Sequence, residues 1–228
     1  MKTTMRHQNT RRALLFITPL ALALAGCGSL IGPSGAPPQM YVLTPTFGAV
    51  DAPTANWQLS VMRPDAADVY DTDRIVIERN QIMDYYADAQ WTDQTEPLLQ
   101  RKIVEGFEKS GRIAAVAPDR EGLHADNLLQ IEVRDFVARY NGETGAPTVD
   151  VELIARLVTP DRRLVVGTLD SRHSVAATDN SIPAAVAAFN AASGQAIEEI
   201  VAWTLRTGTP GAATNDVAPA PRHHRRHR

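Results

Sequence analysis

Three consecutive segments in the second half of the chain alternate apolar and polar residues with a period of two. They comprise residues 129–140, 149–157 and 164–175, and short turn sequences rich in Gly, Asn, Pro and Asp separate them. A period of two is typical of β-strands with one buried face and one solvated face. Because the connections are short, the sequence predicts an antiparallel meander of three strands.

The first of these strands changes its apolar face part-way along. Its apolar residues occupy odd positions up to Val133 and even positions from Phe136 onward. Since successive side chains of a strand point to opposite faces, a slip of one residue reverses the two faces. We therefore predict a β-bulge near Arg134 and Asp135.

Two other segments have the three- and four-residue spacing of amphipathic helices. The first is predicted to begin with a capping-box-like pair, Asp93 and Glu96, and to end at Gly111. The second is predicted to begin at Ser181, with Pro183 in its first turn. The apolar residues predicted to be buried are Leu99, Ile103 and Phe107 in the first helix and Val186, Phe189, Ile197, Ile200, Val201 and Leu205 in the second.

The front half of the chain contains further strand patterns. Trp57, Leu59 and Val61 alternate with polar residues until Arg63-Pro64, and residues 74–78 and 82–86 flank a short polar turn that predicts a hairpin. Strands, helix, strands and helix in one domain of this size predict an α/β sandwich with a mixed sheet.

The first 27 residues have the layout of a secretion signal. Lys2, Arg6, Arg11 and Arg12 precede an apolar run over residues 13–25, and Leu24-Ala25-Gly26-Cys27 follows the pattern of a bacterial lipobox. A run of about 13 residues is too short for a permanent span, which needs roughly 20. We predict that residues 1–26 are removed and that Cys27 is lipidated, the alternative being an ordinary export signal with an incidental Cys.

Residue composition predicts how the remaining chain is organised. Residues 28–40 are rich in Gly and Pro and predict a flexible tether, residues 41–207 the folded domain, and residues 208–228 a disordered Ala/Pro and His/Arg tail. Cys27 is the only cysteine, so no internal disulfide is expected. Removal of the four signal cations leaves 19 basic against 26 acidic residues, a charge of −7 that argues against nucleic-acid binding.

The sequence contains none of the motifs that mark nucleotide binding or common hydrolases. It lacks a P-loop, a Gly-x-Gly-x-x-Gly, a Gly-x-Ser-x-Gly and a His-Glu-x-x-His. His124 and His173 are interpreted as surface or strand histidines. A run of acidic residues is interpreted as a solvated loop rather than a calcium site, because the glycine and terminal Glu of a calcium loop are missing. No catalytic residue, cofactor or metal site is predicted. The acidic residues are Asp65, Asp68, Asp71 and Asp73.

Tyr41, Val42 and Leu43 form a short apolar strand directly after the tether. Two interpretations stay open for it. It is either a plain edge strand or a site that binds a partner through its exposed backbone.

Several of these segments, in this order, resemble the ABC-type transport auxiliary lipoproteins, the family that includes paraquat-inducible protein C. The resemblance covers residues 41–207. The matching features are Tyr41 and Leu43 after the cysteine, the strand ending at Arg63-Pro64, residues 73–76, residues 85–91 before a helix, and residues 129–136 in a long strand.

This resemblance implies both a fold and a set of partners. The implied fold is a three-layer α/β sandwich with a mixed sheet of about five strands and two main helices, similar to the amino-terminal domain of TolB. The implied partners are a periplasmic MCE-domain protein and its ABC permease and ATPase. A homo-oligomer is compatible with that role.

The function expected from these observations is that of a non-enzymatic adaptor in intermembrane lipid transport. Gly28 follows Cys27 where an Asp would often signal retention in the inner membrane, so we expect the outer membrane and its periplasmic face. The alternatives are a periplasmic enzyme acting on envelope polymers, and a lipoprotein that assists lipopolysaccharide assembly or pilots a secretin.

Overall fold

Nine strands form one mixed sheet in the computed structural model, which describes residues 37–142 and 145–210. The signal sequence, Cys27, most of the predicted tether and the tail from residue 211 lie outside the described residues. The strands are β1 Gln39–Tyr41, β2 Ala55–Val61, β3 Asp65–Ala66, β4 Arg74–Arg79, β5 Ile82–Trp91, β6 Ile113–Pro118, β7 Asn127–Tyr140, β8 Thr148–Val158 and β9 Val165–Ala176. The main helices are α1 Thr95–Ser110 and α2 Ile182–Thr207.

The longest strand, β7, organises the sheet. On one side it pairs antiparallel with β8, which pairs antiparallel with β9, so the predicted meander is confirmed. The pairing of β7 with β8 shifts register between Val133 and Asp135. This irregularity is the predicted bulge, and it allows Val133 and Phe136 both to be buried.

Three short strands share the other side of β7. β2, β3 and β4 follow one another along it, each parallel to β7. β6 extends the sheet beyond β2, while β5 and then β1 extend it beyond β4. The β4–β5 hairpin and the end of β2 before Arg63-Pro64 are as predicted.

The α/β sandwich with a mixed sheet, a meander and two main helices is therefore confirmed. The sheet has nine strands where the resemblance implies about five. Residues 55–79 touch β7 in three separate stretches because Pro64, which has no N–H to donate, and the loop at residues 67–73 interrupt the pairing.

Both helices pack on the same side of the sheet and contact each other. A Cβ added to Gly106 of α1 would lie 2.6 Å from Ile197 of α2. An aromatic trio in the core joins α2 to the sheet. Its ring centroids lie 5.3 Å apart for Trp91–Phe189, 4.8 Å for Phe136–Phe189 and 5.8 Å for Trp91–Phe136. All apolar helix residues predicted to be buried are buried.

The sequence predicts the start of α2 correctly but not the cap of α1. The Oγ of Ser181 accepts a hydrogen bond from the Ala184 N–H at 3.2 Å, as predicted for the cap of α2. The capping box predicted for α1 is wrong, because Gln94 is the N-cap and has no side-chain capping bond. Asp93 instead pairs with Arg101, and Glu96 pairs with Arg63.

The face of the sheet opposite the helices carries a network of ion pairs. Arg139 contacts Glu78 at 2.8 Å and both Asp135 and Asp150 at 2.7 Å. Burial lowers the pKa of Arg139, but the hydrogen bonds to the three carboxylates outweigh it and raise the pKa overall. The Tyr70 hydroxyl donates to Asp135 at 3.1 Å, and burial raises the pKa of that tyrosine. In the meander this face is mostly polar, as the alternation predicts, although Val137 and Ile154 on the same face are buried.

Candidate functional site

The predicted partner-binding residues lie at the margin of the sheet. β1 pairs only with β5, in parallel, so its other edge is unpaired within the described residues. Val42 is 53% exposed and Tyr41 is half-buried, with its hydroxyl donating to the Gln39 Oε1 at 2.9 Å. Leu43 is fully buried in the core. Only Tyr41 of the predicted strand therefore belongs to the edge strand β1, which ends before Val42 and Leu43. Leu43 supports the fold, and the partner-binding role of this segment stays a prediction.

A cleft of about 870 Å³ lies at one end of the meander. It is formed where β7 begins, β8 ends and β9 begins, and residues 209–210 after α2 close one side. Met62, Leu128 and Leu164 supply apolar lining. Leu164 is 56% exposed, so the cleft has a large apolar side chain at its opening.

Two buried polar atoms, one on Thr159 in the cleft lining and one on Asn127 next to it in the chain at Leu128, have no hydrogen-bond partner among the described residues. The Nδ2 of Asn127 donates to the Thr209 carbonyl at 2.7 Å, while its Oδ1 is unpaired. The backbone N–H of Thr159 donates to the Leu164 carbonyl at 3.0 Å, which closes the turn between β8 and β9, while its Oγ1 is unpaired. Buried polar groups are usually paired, so the unpaired Thr159 Oγ1 favours a polar ligand or partner group in the cleft.

Charged side chains surround the apolar lining. The carboxylate of Asp119 accepts from the Gln100 Nε2 at 3.0 Å, and that of Asp126 accepts from the Gln58 N–H at 2.8 Å. Asp161 and Arg162 lie in the turn between β8 and β9 and also line the cleft. Volumes of roughly 300 to 1,000 Å³ are usual for ligand pockets. The cleft is therefore suited to an amphipathic ligand or to an inserted segment of another protein.

Three carboxylates of the described residues have a pKa shifted from the ordinary value. Within the described residues, every carboxylate with a shifted pKa has it lowered, chiefly by hydrogen bonds from Arg or Lys side chains. These residues are Asp93, Glu105 and Glu132. A general acid needs a raised pKa, as burial or a like charge would produce. These three carboxylates are therefore suited to structural ion pairs rather than proton donation.

The remaining candidates from the sequence are dispersed. His124 is exposed and lines the cleft, whereas His173 lies on β9 with its Nε2 2.9 Å from Glu199. The acidic loop has Asp65, Asp68 and Asp71 at the surface. No group of three or more His, Cys, Asp or Glu side chains in residues 37–142 and 145–210 is arranged to hold a metal ion. Within the same residues, none of the helices is long and apolar enough to cross a bilayer.

The cleft was not predicted from the sequence, because its lining comes from several segments that are separated in the chain. Asn127 starts one strand of the meander and Thr159 follows the next. Adjacent antiparallel strands bring the start of one and the end of the other to the same edge of the sheet. This rule applied to the predicted meander would have placed the two residues together.

Comparisons with known proteins agree with this fold. The chain is 30% identical over 186 residues to the uncharacterized protein bll6063 of Bradyrhizobium diazoefficiens, covering 80% of this chain and 49% of that protein. It therefore spans about half the length of that relative. The crystal structure of protein XCC0632 of Xanthomonas campestris matches with a TM-score of 0.69 and 32% identity, covering 73% of this chain and 94% of that one.

A second solved structure, of an uncharacterized protein, matches with a TM-score of 0.58 and 15% identity over 73% of this chain and 97% of that one, which supports the fold alone. The family model of the ABC-type transport auxiliary lipoprotein component matches residues 41–201. This range begins at the last residue of the edge strand β1 and contains both helix starts and most of the residues that line the cleft. The chain therefore belongs to the ABC-type transport auxiliary lipoprotein component family, as the resemblance in its sequence predicted.

Proposed function

We propose that this protein is an outer-membrane lipoprotein, acylated at Cys27, that acts as a non-enzymatic adaptor of an MCE-type ABC system for lipid transport. The observation that carries this proposal is the family match over residues 41–201, since the family consists of auxiliary lipoproteins of ABC transport. Its partners are an MCE-domain protein and, through it, the permease and ATPase. The domain is the adaptor, and residues 28–40 connect it to the lipid.

The length of that connection supports an adaptor rather than a carrier. Residues 28–40 number 13, and even a fully stretched chain of that length reaches only about 43 Å. An anchored domain therefore stays near its own membrane. Cargo must be brought to it, which requires a partner that extends through the periplasm.

The cleft and the β1 edge are the surfaces that we assign to this partner. The cleft combines apolar lining with the buried Thr159 Oγ1, which has no hydrogen-bond partner in the part of the chain that the structure describes. β1 offers unpaired backbone beside the exposed Val42. A partner strand can add to such an edge, and a partner side chain can fill such a cleft.

Site-specific photo-crosslinking in cells tests these assignments. A photoreactive residue replaces Leu164 at the cleft, Val42 at the edge, or Arg134, whose exposed side chain lies on the ion-paired face and serves as the control. We expect the MCE-domain protein to be captured from Leu164 or Val42 and not from Arg134. Capture of a secretin, of a lipopolysaccharide-assembly protein or of polymer-synthesis enzymes instead would contradict the adaptor role and support one of the alternatives.

Anchoring is tested separately by Cys27→Ala. The variant should incorporate no labelled palmitate and should leave the outer-membrane fraction, because the lipid attaches to the Cys27 thiol. Fractionation of the unchanged protein with the inner membrane would contradict the proposed location. Full transport activity from the non-acylated form at native abundance would contradict the anchored adaptor, since anchoring raises the effective concentration at the docking site.

A further inference from the structure

The turn of the β4–β5 hairpin presents two exposed apolar side chains. Ile82 is 68% exposed and Met83 is 37% exposed. Asn80 and Gln81 have φ of 50° and 67°, and Arg79 pairs with Ile82, so a two-residue turn of the tightest kind joins the strands. Such a turn has little freedom. The two apolar side chains are therefore held outward at the tip of the hairpin.

The chain enters the domain from the same end of the sheet. β1 runs parallel to β5, with Gln39 opposite Ala89. The two strands therefore run in the same direction, and residues that precede Gln39 lie on the side of Ile82, where β5 begins. Ala89 lies seven residues after Ile82, which corresponds to about 23 Å of strand. Direction alone thus places the hairpin tip on the side from which the amino-terminal segment arrives.

The amino-terminal segment is long enough for the tip to reach the anchoring membrane. Gln39 lies twelve residues after Cys27, which is at most about 40 Å of extended chain. This exceeds the roughly 23 Å between the level of Gln39 and the hairpin tip. A lipid at Cys27 and the side chain of Ile82 can therefore occupy one bilayer surface without any change in the domain.

The cleft lies at the opposite end. Arg79 pairs with Tyr140, the last residue of β7, whereas Leu128, the second residue of β7, lines the cleft. A strand of 14 residues is about 45 Å long. The second exposed apolar turn, with Leu164 and Val165 each 56% exposed, belongs to the cleft end. The two exposed turns are therefore separated by the length of the domain.

We propose that the β4–β5 hairpin inserts Ile82 and Met83 into the bilayer that holds the Cys27 lipid, so that the domain stands on the membrane by this tip with its cleft directed away from it. The proposal rests on the anchoring at Cys27 that is part of the proposed function. Transfer of exposed apolar side chains from water into the acyl region supplies the driving force. The inserted tip holds the cleft at a fixed distance from the membrane, where a periplasmic partner can reach it.

A labelling experiment on the full acylated chain tests this orientation. Acylation consumes the thiol of Cys27, the only cysteine, so a cysteine introduced by Ile82→Cys reacts alone with an environment-sensitive NBD probe. The matched control is Leu164→Cys, which replaces an exposed apolar residue in the turn at the opposite end. Both proteins are reconstituted into vesicles of phosphatidylethanolamine and phosphatidylglycerol, with and without lipids that carry a nitroxide quencher in the acyl chain.

The expected result is a blue-shifted NBD emission at position 82, quenched by the nitroxide lipids, with neither effect at position 164. Equal responses at the two positions, or a response at 164 alone, overturn the proposal. A blue shift at 82 without nitroxide quenching also overturns it, since that result indicates contact between copies of the protein.

Flotation of the vesicles separates this inference from the proposed function. Protein that floats without quenching at position 82 is anchored but does not insert its hairpin, which overturns the inference alone. Protein that fails to float after purification from an acylating host overturns the anchoring and the inference together. Ile82→Ser combined with Met83→Ser should leave thermal unfolding unchanged, because both side chains are exposed, while abolishing the quenching of a probe placed by Gln81→Cys.

Discussion

Gly194 lies in the middle of α2, where the addition of a single methyl group should lower the stability of the domain. A Cβ at Gly194 would lie 2.6 Å from the carbonyl oxygen of Thr46, in the segment that crosses over α2. That segment is held on both sides of the contact. The Thr44 N–H donates to Asn190 at 2.7 Å, and the Gly48 N–H donates to Glu198. The obstacle is therefore backbone that is tied to the helix four residues before and four residues after Gly194.

Gly194→Ala sets two opposing effects against each other. Alanine in a helix interior is favoured over glycine by about 1 kcal/mol. Forcing an extra methyl group into a packed contact costs roughly 1 to 3 kcal/mol. Because the neighbouring backbone is held by two hydrogen bonds, we expect the packing cost to be at the high end and the net loss to be about 1 to 2 kcal/mol. For a domain of this size, that corresponds to a fall in Tm of about 3 to 6 °C.

The adjacent residue provides a matched control with the opposite sign. Ser193 is fully buried, and its Oγ has no hydrogen-bond partner among the described residues. Ser193→Ala removes an unsatisfied hydroxyl and improves helix propensity, so the free energy of unfolding should rise by about 1 kcal/mol.

Circular dichroism at 222 nm against temperature, together with urea denaturation, measures both variants. A Tm that rises for Gly194→Ala would refute the reasoning, because it would mean that the crossing segment moves away at little cost. A fall for Ser193→Ala would show that the hydroxyl is paired. The pair of results thus tests the packing of this segment independently of overall helix stability.

Three further predictions follow from the core and the ion pairs. Phe189→Ala should lower the free energy of unfolding by about 4 kcal/mol, and Phe189→Leu by about 1.5 kcal/mol, as measured by urea denaturation; equal, small effects would mean that the aromatic trio does not pack as described. Arg139→Met should cost about 2 kcal/mol, because three carboxylates lose their charged donor, and Arg139→Lys should cost less; a stability unchanged in both would contradict the network. The ion pair with Lys102 lowers the pKa of Glu105, and the ion pair with Arg156 lowers the pKa of Glu132, each below the ordinary value of 4.5. The stability that these pairs supply is therefore present above about pH 4.5 and is lost as the pH falls through the lowered pKa values. Urea midpoints measured between about pH 6 and pH 3 should show this loss, and substitution of both glutamates by Gln should reduce it.

The sequence pattern was sufficient to predict a structural feature wherever that feature depends on residues close together in the chain. The reversal of faces between Val133 and Phe136 predicted the bulge because a strand that keeps one face buried must insert a residue there. Ser181 predicted the start of α2 because its side chain caps the N–H three residues later in the chain. The failed cap at Asp93 has a non-local cause, since Arg101 and Arg63 compete for the two carboxylates that the capping box needs.

The periods of the strands and helices, the faces they bury, the family of the chain and the cysteine expected to carry the lipid could all be predicted from the amino-acid sequence. The folded structure was needed to show that three short strands share one side of β7, that Leu43 belongs to the core, and that Leu128 and Thr159 line one cleft. This difference follows from the range of the interactions. Side-chain alternation and helical spacing are properties of neighbouring residues, whereas strand pairing joins residues far apart in the chain and is decided by which hydrogen bonds and apolar contacts the whole domain can satisfy together.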